Sequence, residues 1–275
     1  MEKTVILLIG HGSRNPAGNV EFLAFVDRLK GRLPDQTIVP CFIELADVLI
    51  PEGIERAVAL NATRIVCVPV ILLAAGHVKM EIPEILEDAR KKHPGVEFVY
   101  TRNIGVCDQT VRMMAERVAE VEPHTPDPAT TGVLVLGRGS SDPDANGDLA
   151  KITRLFWERT DYDMVEFAFV GITRPDLPGG VEKLIRLGAS RVIIAPYFMF
   201  TGVLIERIDT MVKGFTGQYP DTSFTVSKYF EFHELLLDVI AERIRQGNEG
   251  EMMMACDNCE YRIEAASHHD HHHHH

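Results

Sequence analysis

The sequence predicts an α/β protein of two duplicated domains, each a four-stranded parallel sheet with helices on both faces. Three observations carry that prediction. Short apolar runs of strand length alternate with longer segments of helical periodicity across short connections, an order that calls for a parallel sheet covered on both sides. The alternation runs through the chain twice. The two passes also match residue by residue: Gly10-His11-Gly12-Ser13-Arg14-Asn15-Pro16 meets Gly137-Arg138-Gly139-Ser140-Ser141-Asp142-Pro143 at an offset of 127 residues. At that same offset Pro51, Gly53, Arg64 and Pro69 meet Pro178, Gly180, Arg191 and Pro196.

The elements follow in order. Val5 to Ile9 is an unbroken apolar run, as a strand buried on both faces requires. Residues 18–30 place Val20, Leu23, Ala24, Val26 and Leu29 on one helical face. Residues 37–43 read as a strand despite Pro40, which must then lie near an unpaired position. Pro51 opens a helix to Leu60, at a position where a missing N–H is harmless. A strand over 64–70, a helix over 78–92, a strand over 96–100 and a helix over 108–121 complete the first pass. The second has strands over 132–136, 164–170, 191–197 and 223–228, and helices over 146–159, 179–187, 203–216 and 232–245. The implied organisation is a first half, 1–122, carrying the metal site; a proline-rich linker, 123–131; a second half, 132–246; and a Cys- and His-rich metal-binding tail, 247–275, with no core-forming pattern.

Composition narrows the function. The chain has 275 residues, is 45% hydrophobic and carries a formal net charge of −12, which argues against nonspecific binding to nucleic acid or an anionic membrane, since both need a basic face. No apolar run reaches the roughly 20 residues of a membrane helix. Val5 to Ile9 is too short for a signal-peptide core, and a cytoplasmic protein is expected. Cys41, Cys67 and Cys107 read as small hydrophobes, while Cys256 and Cys259 are paired in sequence.

Ligands of an open parallel sheet bind outside the carboxyl ends of its strands. His11 follows the first strand, Glu44 the second, and His77 lies beyond the third, so all three belong to that edge. Two imidazoles and a carboxylate suit a borderline divalent ion such as Co²⁺, Fe²⁺, Ni²⁺ or Zn²⁺, and imidazole also accepts protons near neutral pH. Glu81, one helical turn beyond His77, is a candidate fourth group. The second pass has Arg138, Gly171 and Val203 at the equivalent positions. The metal-competent set therefore occurs once, and if the two edges face each other across a cleft, the second contributes a cation for an acidic substrate.

These features resemble the class II chelatases, in the long CbiX or SirB form: the Gly-His-Gly-Ser-Arg loop, the carboxylate after the second strand, the Gly76-His77 pair and the fused duplication. The resemblance implies a flavodoxin-like (chelatase-like) fold and ATP-independent insertion of a divalent metal into sirohydrochlorin, Co²⁺ for cobalamin or Fe²⁺ for sirohaem. It implies His11, Glu44 and His77 as metal ligands, with the imidazoles doubling as bases. Ser13, Arg14, Lys79, Arg138 and Arg207, in or just after the binding-edge loops, are candidate partners for the substrate's carboxylates. Met254-Ala255-Cys256-Asp257-Asn258-Cys259 resembles a Met-x-Cys-x-x-Cys motif associated in that family with a 4Fe-4S cluster. Two thiolates do not complete such a cluster, so a second chain or other ligands would be needed.

Co²⁺ is favoured over Fe²⁺ by the tail resemblance and not by coordination chemistry. The internal duplication suggests a monomer, with a tail-mediated dimer as the alternative. Two other classes compete: a nonenzymatic metal or tetrapyrrole carrier, and a nucleotide or flavin binder. The latter is weak because the glycines after the first strand lack the dinucleotide spacing and Pro16 interrupts the helix start.

Overall fold

In the computed structural model, which describes residues 3–121 and 127–251, the first strand, β1, spans Thr4–Gly10. Its residues Val5 to Ile9 are wholly buried, which demands a strand on each side and helices on each face. The sequence continues through α1 (Pro16–Arg32), β2 (Ile38–Phe42), α2 (Ile50–Ala59) and β3 (Arg64–Pro69). A π-helical turn (His77–Glu81) then runs into α3 (Ile82–Lys92), followed by β4 (Glu97–Tyr100) and α4 (Asp108–Ala119). The second pass is β5 (Thr131–Gly137), α5 (Pro143–Arg159), β6 (Met164–Phe169), α6 (Leu177–Arg186), β7 (Arg191–Pro196), α7 (Val203–Gln218), β8 (Ser223–Val226) and α8 (Glu234–Glu249).

Both sheets are parallel, with orders β2-β1-β3-β4 and β6-β5-β7-β8. The expected architecture is thus present twice. Pro40 is accommodated because β2 is an edge strand that pairs only with β1. Asp142 and Asp176 cap α5 and α6 by accepting the Asp144 and Gly179 amides, each at 2.9 Å.

Three local expectations change. Pro16 does not interrupt α1; it is its first residue, where proline costs no hydrogen bond. The helix expected over 78–92 begins instead as a π turn, because Pro83 has no N–H to continue an α ladder and its ring would press on the Lys79 carbonyl. And α8 runs to Glu249, past the expected end at residue 245. Its last turn is held down: Arg64 donates to the carbonyls of Gly247 and Asn248 at 3.2 and 3.0 Å. A Cβ on Gly247 would come within 2.6 Å of side-chain atoms of both Val66 and Thr101.

The chain divides into two compact units that do not follow its two passes. Described residues 3–13, 22–105 and 238–251 form one, and 14–21, 106–121 and 127–237 form the other. Helix α4 therefore belongs with the second sheet, where Arg117 donates to the Phe230 carbonyl at 2.8 Å and Glu116 pairs with His233 at 3.1 Å. Most of α8 belongs with the first sheet, where Arg243 donates to the carbonyls of Asn103 and Ile104 at 3.1 and 3.0 Å.

The repeated glycines after Pro51 and Pro178 have a packing cause. A Cβ on Gly53 would sit 2.8 Å from the Cys41 Cβ, and one on Gly180 2.8 Å from the Leu134 Cδ1, so α2 and α6 press directly on their sheets. Gly53→Ala is expected to destabilise the protein by about 1–3 kcal/mol through overpacking. Gly214→Ala, in α7 where an added Cβ meets nothing within 4 Å, is expected to stabilise by about 0.4–1 kcal/mol. Thermal or urea unfolding of the two variants checks both signs.

Candidate metal site

In the first sheet the chain leaves β1 to one side for β2 and returns across it to β3, so the order reverses between β1 and β3. A crevice opens at the carboxyl ends of strands at such a point. The register ends the strands level: Gly10 lies opposite Phe42, and Ile9 opposite Pro69. Pairing then continues one step past the strands, since the amides of Ile43 and Glu44 reach the carbonyls of Gly10 and His11 at 2.9 and 3.2 Å. His11 and Glu44 are thereby placed side by side.

Gly12 makes this approach feasible. Its φ is +89°, and a Cβ there would lie 1.7 Å from the Glu44 carbonyl oxygen. Any other residue would force the His11 and Glu44 loops apart.

His77 arrives on the π turn. The Ile82 amide bonds to the His77 carbonyl, and Pro83 has no amide, so the helix offers no donor to the Val78 carbonyl. Tyr100, fully buried at the end of β4, supplies one from its hydroxyl at 2.9 Å. Sequence reasoning missed Tyr100; the signal available was the proline that breaks the ladder. The wider turn also sets His77 and Glu81 in line, and His77 Nδ1 hydrogen-bonds Glu81 Oε2. Facing a carboxylate, Nδ1 is the donor in that contact, and Nε2 is the nitrogen on the side of Glu44.

One ligand atom from each of His11, Glu44 and His77 lies within 4.8 Å of the others. Glu44 Oε1 is 3.9 Å from His11 Nδ1 and 4.0 Å from His77 Nε2, too long for a hydrogen bond to either. The two imidazoles meet edge to face with centroids 5.0 Å apart. Around a divalent ion with bonds of roughly 2.1 Å, ligand atoms sit about 3–3.5 Å apart, so a modest contraction would bring the trio onto one ion. The side chains are 28%, 40% and 39% exposed, which leaves a face open to an incoming ion and a second reactant. Glu81 is turned to His77, and a carboxylate behind a histidine is the arrangement common at metal-bound imidazoles.

The other residues singled out from the sequence are spread over both units. Ser13 and Lys79 are half-buried in the first, Ser13 in the loop after β1 and Lys79 on the π turn. Arg14, Arg138 and Arg207 are exposed and belong to the second, in the loop before α1, after β5 and on α7. Cys256 and Cys259 lie outside the described residues. At the position of Glu44 the second unit has Gly171, whose added Cβ would lie 2.3 Å from the Arg138 carbonyl. A carboxylate cannot be carried there without moving the loop.

The model of the CbiX family matches residues 5–121 and, a second time, 132–247. The chain belongs to the CbiX family. Among relatives, it is 45% identical to the sirohydrochlorin cobaltochelatase of Priestia megaterium over 96% of this chain and 86% of that one. It is 31% identical to the sirohydrochlorin ferrochelatase of the same organism over 87% of this chain and 89% of that one. Among solved structures, SirB from Bacillus subtilis with Fe3+ superposes with a TM-score of 0.78 at 29% identity, covering 92% of this chain and 99% of that one. Within this CbiX chain no helix of the described residues is long and apolar enough to cross a membrane.

Replacing Glu81 by alanine is expected to weaken Co²⁺ binding about 10–100-fold by freeing the His77 ring, with little change in unfolding temperature. Gly12→Ala should abolish tight binding by separating the two loops. Calorimetric titration with Co²⁺ measures both.

Proposed function

We propose that this CbiX-family protein inserts Co²⁺ into sirohydrochlorin, without ATP, in cobalamin biosynthesis. The observation that carries the reading is the His11, Glu44 and His77 cluster at the switch point of the first sheet, in a chain 45% identical to a sirohydrochlorin cobaltochelatase. The metal is a substrate here. In the balanced reaction one divalent ion enters the macrocycle and two pyrrole protons leave.

Uncatalysed insertion is slowed by the water held on the ion and by the protons held on the pyrrole nitrogens. His11, Glu44 and His77 replace part of the ion's water and hold it at one place, which turns a bimolecular encounter into a positioned transfer. Glu44 offsets one positive charge of the ion. As pyrrole nitrogens take over coordination, the imidazoles of His11 and His77 are released with a lone pair each and accept the departing protons. The Glu81 carboxylate keeps His77 in the required tautomer. Ser13, Arg14, Lys79, Arg138 and Arg207 are the groups we assign to the substrate's carboxylates, which a chain of net charge −12 would otherwise repel.

Imidazole and carboxylate ligands hold Fe²⁺ as readily as Co²⁺. The 31% identity to a ferrochelatase keeps sirohaem synthesis as the second reading. An anaerobic assay of the purified protein with sirohydrochlorin and either ion, followed by absorbance, separates the two. A carrier would instead release metal to the macrocycle no faster than to a chelator.

His11→Ala and His77→Ala are each expected to lower insertion by about 100-fold or more while leaving the unfolding temperature unchanged. Truncation after Glu251, which spares the packed end of α8, should leave insertion intact. A cut after Arg245 would remove Gly247 and the carbonyls that Arg64 binds, and should cost stability.

A further inference from the structure

The loop after β2 carries two residues other than glycine in the left-handed region, Leu45 at φ 60° and Val48 at φ 68°. Such a backbone is strained for both. For Val48 the surroundings account for the strain: its side chain packs on the first unit's core, and its carbonyl accepts the Phe42 amide at 2.9 Å. Leu45 is placed differently. It is not among the residues packed on that core, and it is 45% exposed. Glycine or asparagine would hold this backbone with less strain, and asparagine would face water at no cost. Packing on that core gives no reason for leucine here.

The duplication supplies an independent observation. At the offset of 127 residues Leu45 meets Ile172, which is 78% exposed, the highest value among the exposed large hydrophobic residues described. Ile172 is not among the residues with positive φ. An exposed aliphatic side chain thus stands at this place in both units, on two different backbones, in one unit with the metal-competent trio and in the other without it. What is shared is neither the turn nor the ligands; it is an apolar surface at the carboxyl edge of the sheet. In the first unit Leu72 and Leu73, both half-buried, follow β3 at that edge.

We infer that Leu45 is a substrate-contact residue whose side chain lies against the apolar face of the tetrapyrrole while Glu44, its neighbour in sequence, holds the ion. The inference rests on the chelatase reading above and deepens it: Leu45 governs affinity for the macrocycle and leaves affinity for the metal alone.

The test compares the wild type with Leu45→Asn, Leu45→Met and, as a control, Leu60→Asn. Leu60 is 39% exposed at the end of α2, away from the carboxyl edge. Binding of metal-free sirohydrochlorin is read by absorbance, Co²⁺ binding by calorimetry, KM and kcat by insertion, and stability by thermal unfolding. Leu45→Asn should weaken macrocycle binding and raise KM by about tenfold, the loss of roughly one aliphatic contact, while Co²⁺ affinity and kcat hold and the unfolding temperature stays level or rises. Leu45→Met should restore most of the macrocycle affinity, and Leu60→Asn should change nothing. Unchanged macrocycle affinity in Leu45→Asn overturns the inference, as does a parallel loss of Co²⁺ affinity and unfolding temperature, which would make leucine a backbone requirement. A wild type that neither binds sirohydrochlorin nor inserts metal sinks the chelatase reading and this inference with it; a wild type that inserts metal while Leu45→Asn matches it sinks only the latter.

Discussion

Everything at the candidate site depends on one close approach, that of Gly12 to the backbone of Glu44. The hydrogen bond from the Glu44 amide to the His11 carbonyl extends the β1–β2 pairing by one residue beyond the sheet, and only a residue without a Cβ can stand between the loops. A side chain displaced by 1 Å in a ligand set costs far more than the same shift on a surface, because ligand separations around an ion are fixed to a few tenths of an ångström. Placing two of the three candidate ligands with main-chain hydrogen bonds gives them the rigidity of the sheet itself.

The third candidate ligand, His77, is placed by different means. A proline in the second turn of a helix would ordinarily only weaken it; here Pro83 shifts the ladder, strands the Val78 carbonyl and so recruits the buried Tyr100 hydroxyl. The π turn that results aligns His77 with Glu81. A local defect in the helix has become the support of a candidate ligand, and π turns are frequent at functional sites.

The sheet architecture was legible because its signals are local. Val5 to Ile9 can be nothing but a central strand, Pro51 and Pro178 mark helix starts, and the offset of 127 residues shows the order twice. The trio was legible because each member follows a strand end, and strand ends in a parallel sheet share an edge. Long-range properties were not legible. That Gly12 faces Glu44, that Tyr100 serves Val78 and that α4 packs with the second sheet all depend on atoms distant in sequence. Even Pro16 and Pro83 were ambiguous, since proline opens one helix and distorts the other, and only the surrounding hydrogen bonds decide which.

The exchange of α4 and α8 between the units bears on how the molecule comes apart. A chain cut within the segment joining the two passes would yield an amino-terminal piece bearing a helix with no sheet to cover, and a carboxyl-terminal piece in the same condition. Neither piece is self-sufficient. Unfolding of either unit takes with it a helix contributed by the other pass, so each unit draws on both halves of the sequence. The borders of the compact units thus differ from the borders of the ancestral repeat, and a fragment excised along the repeat divides both units at once.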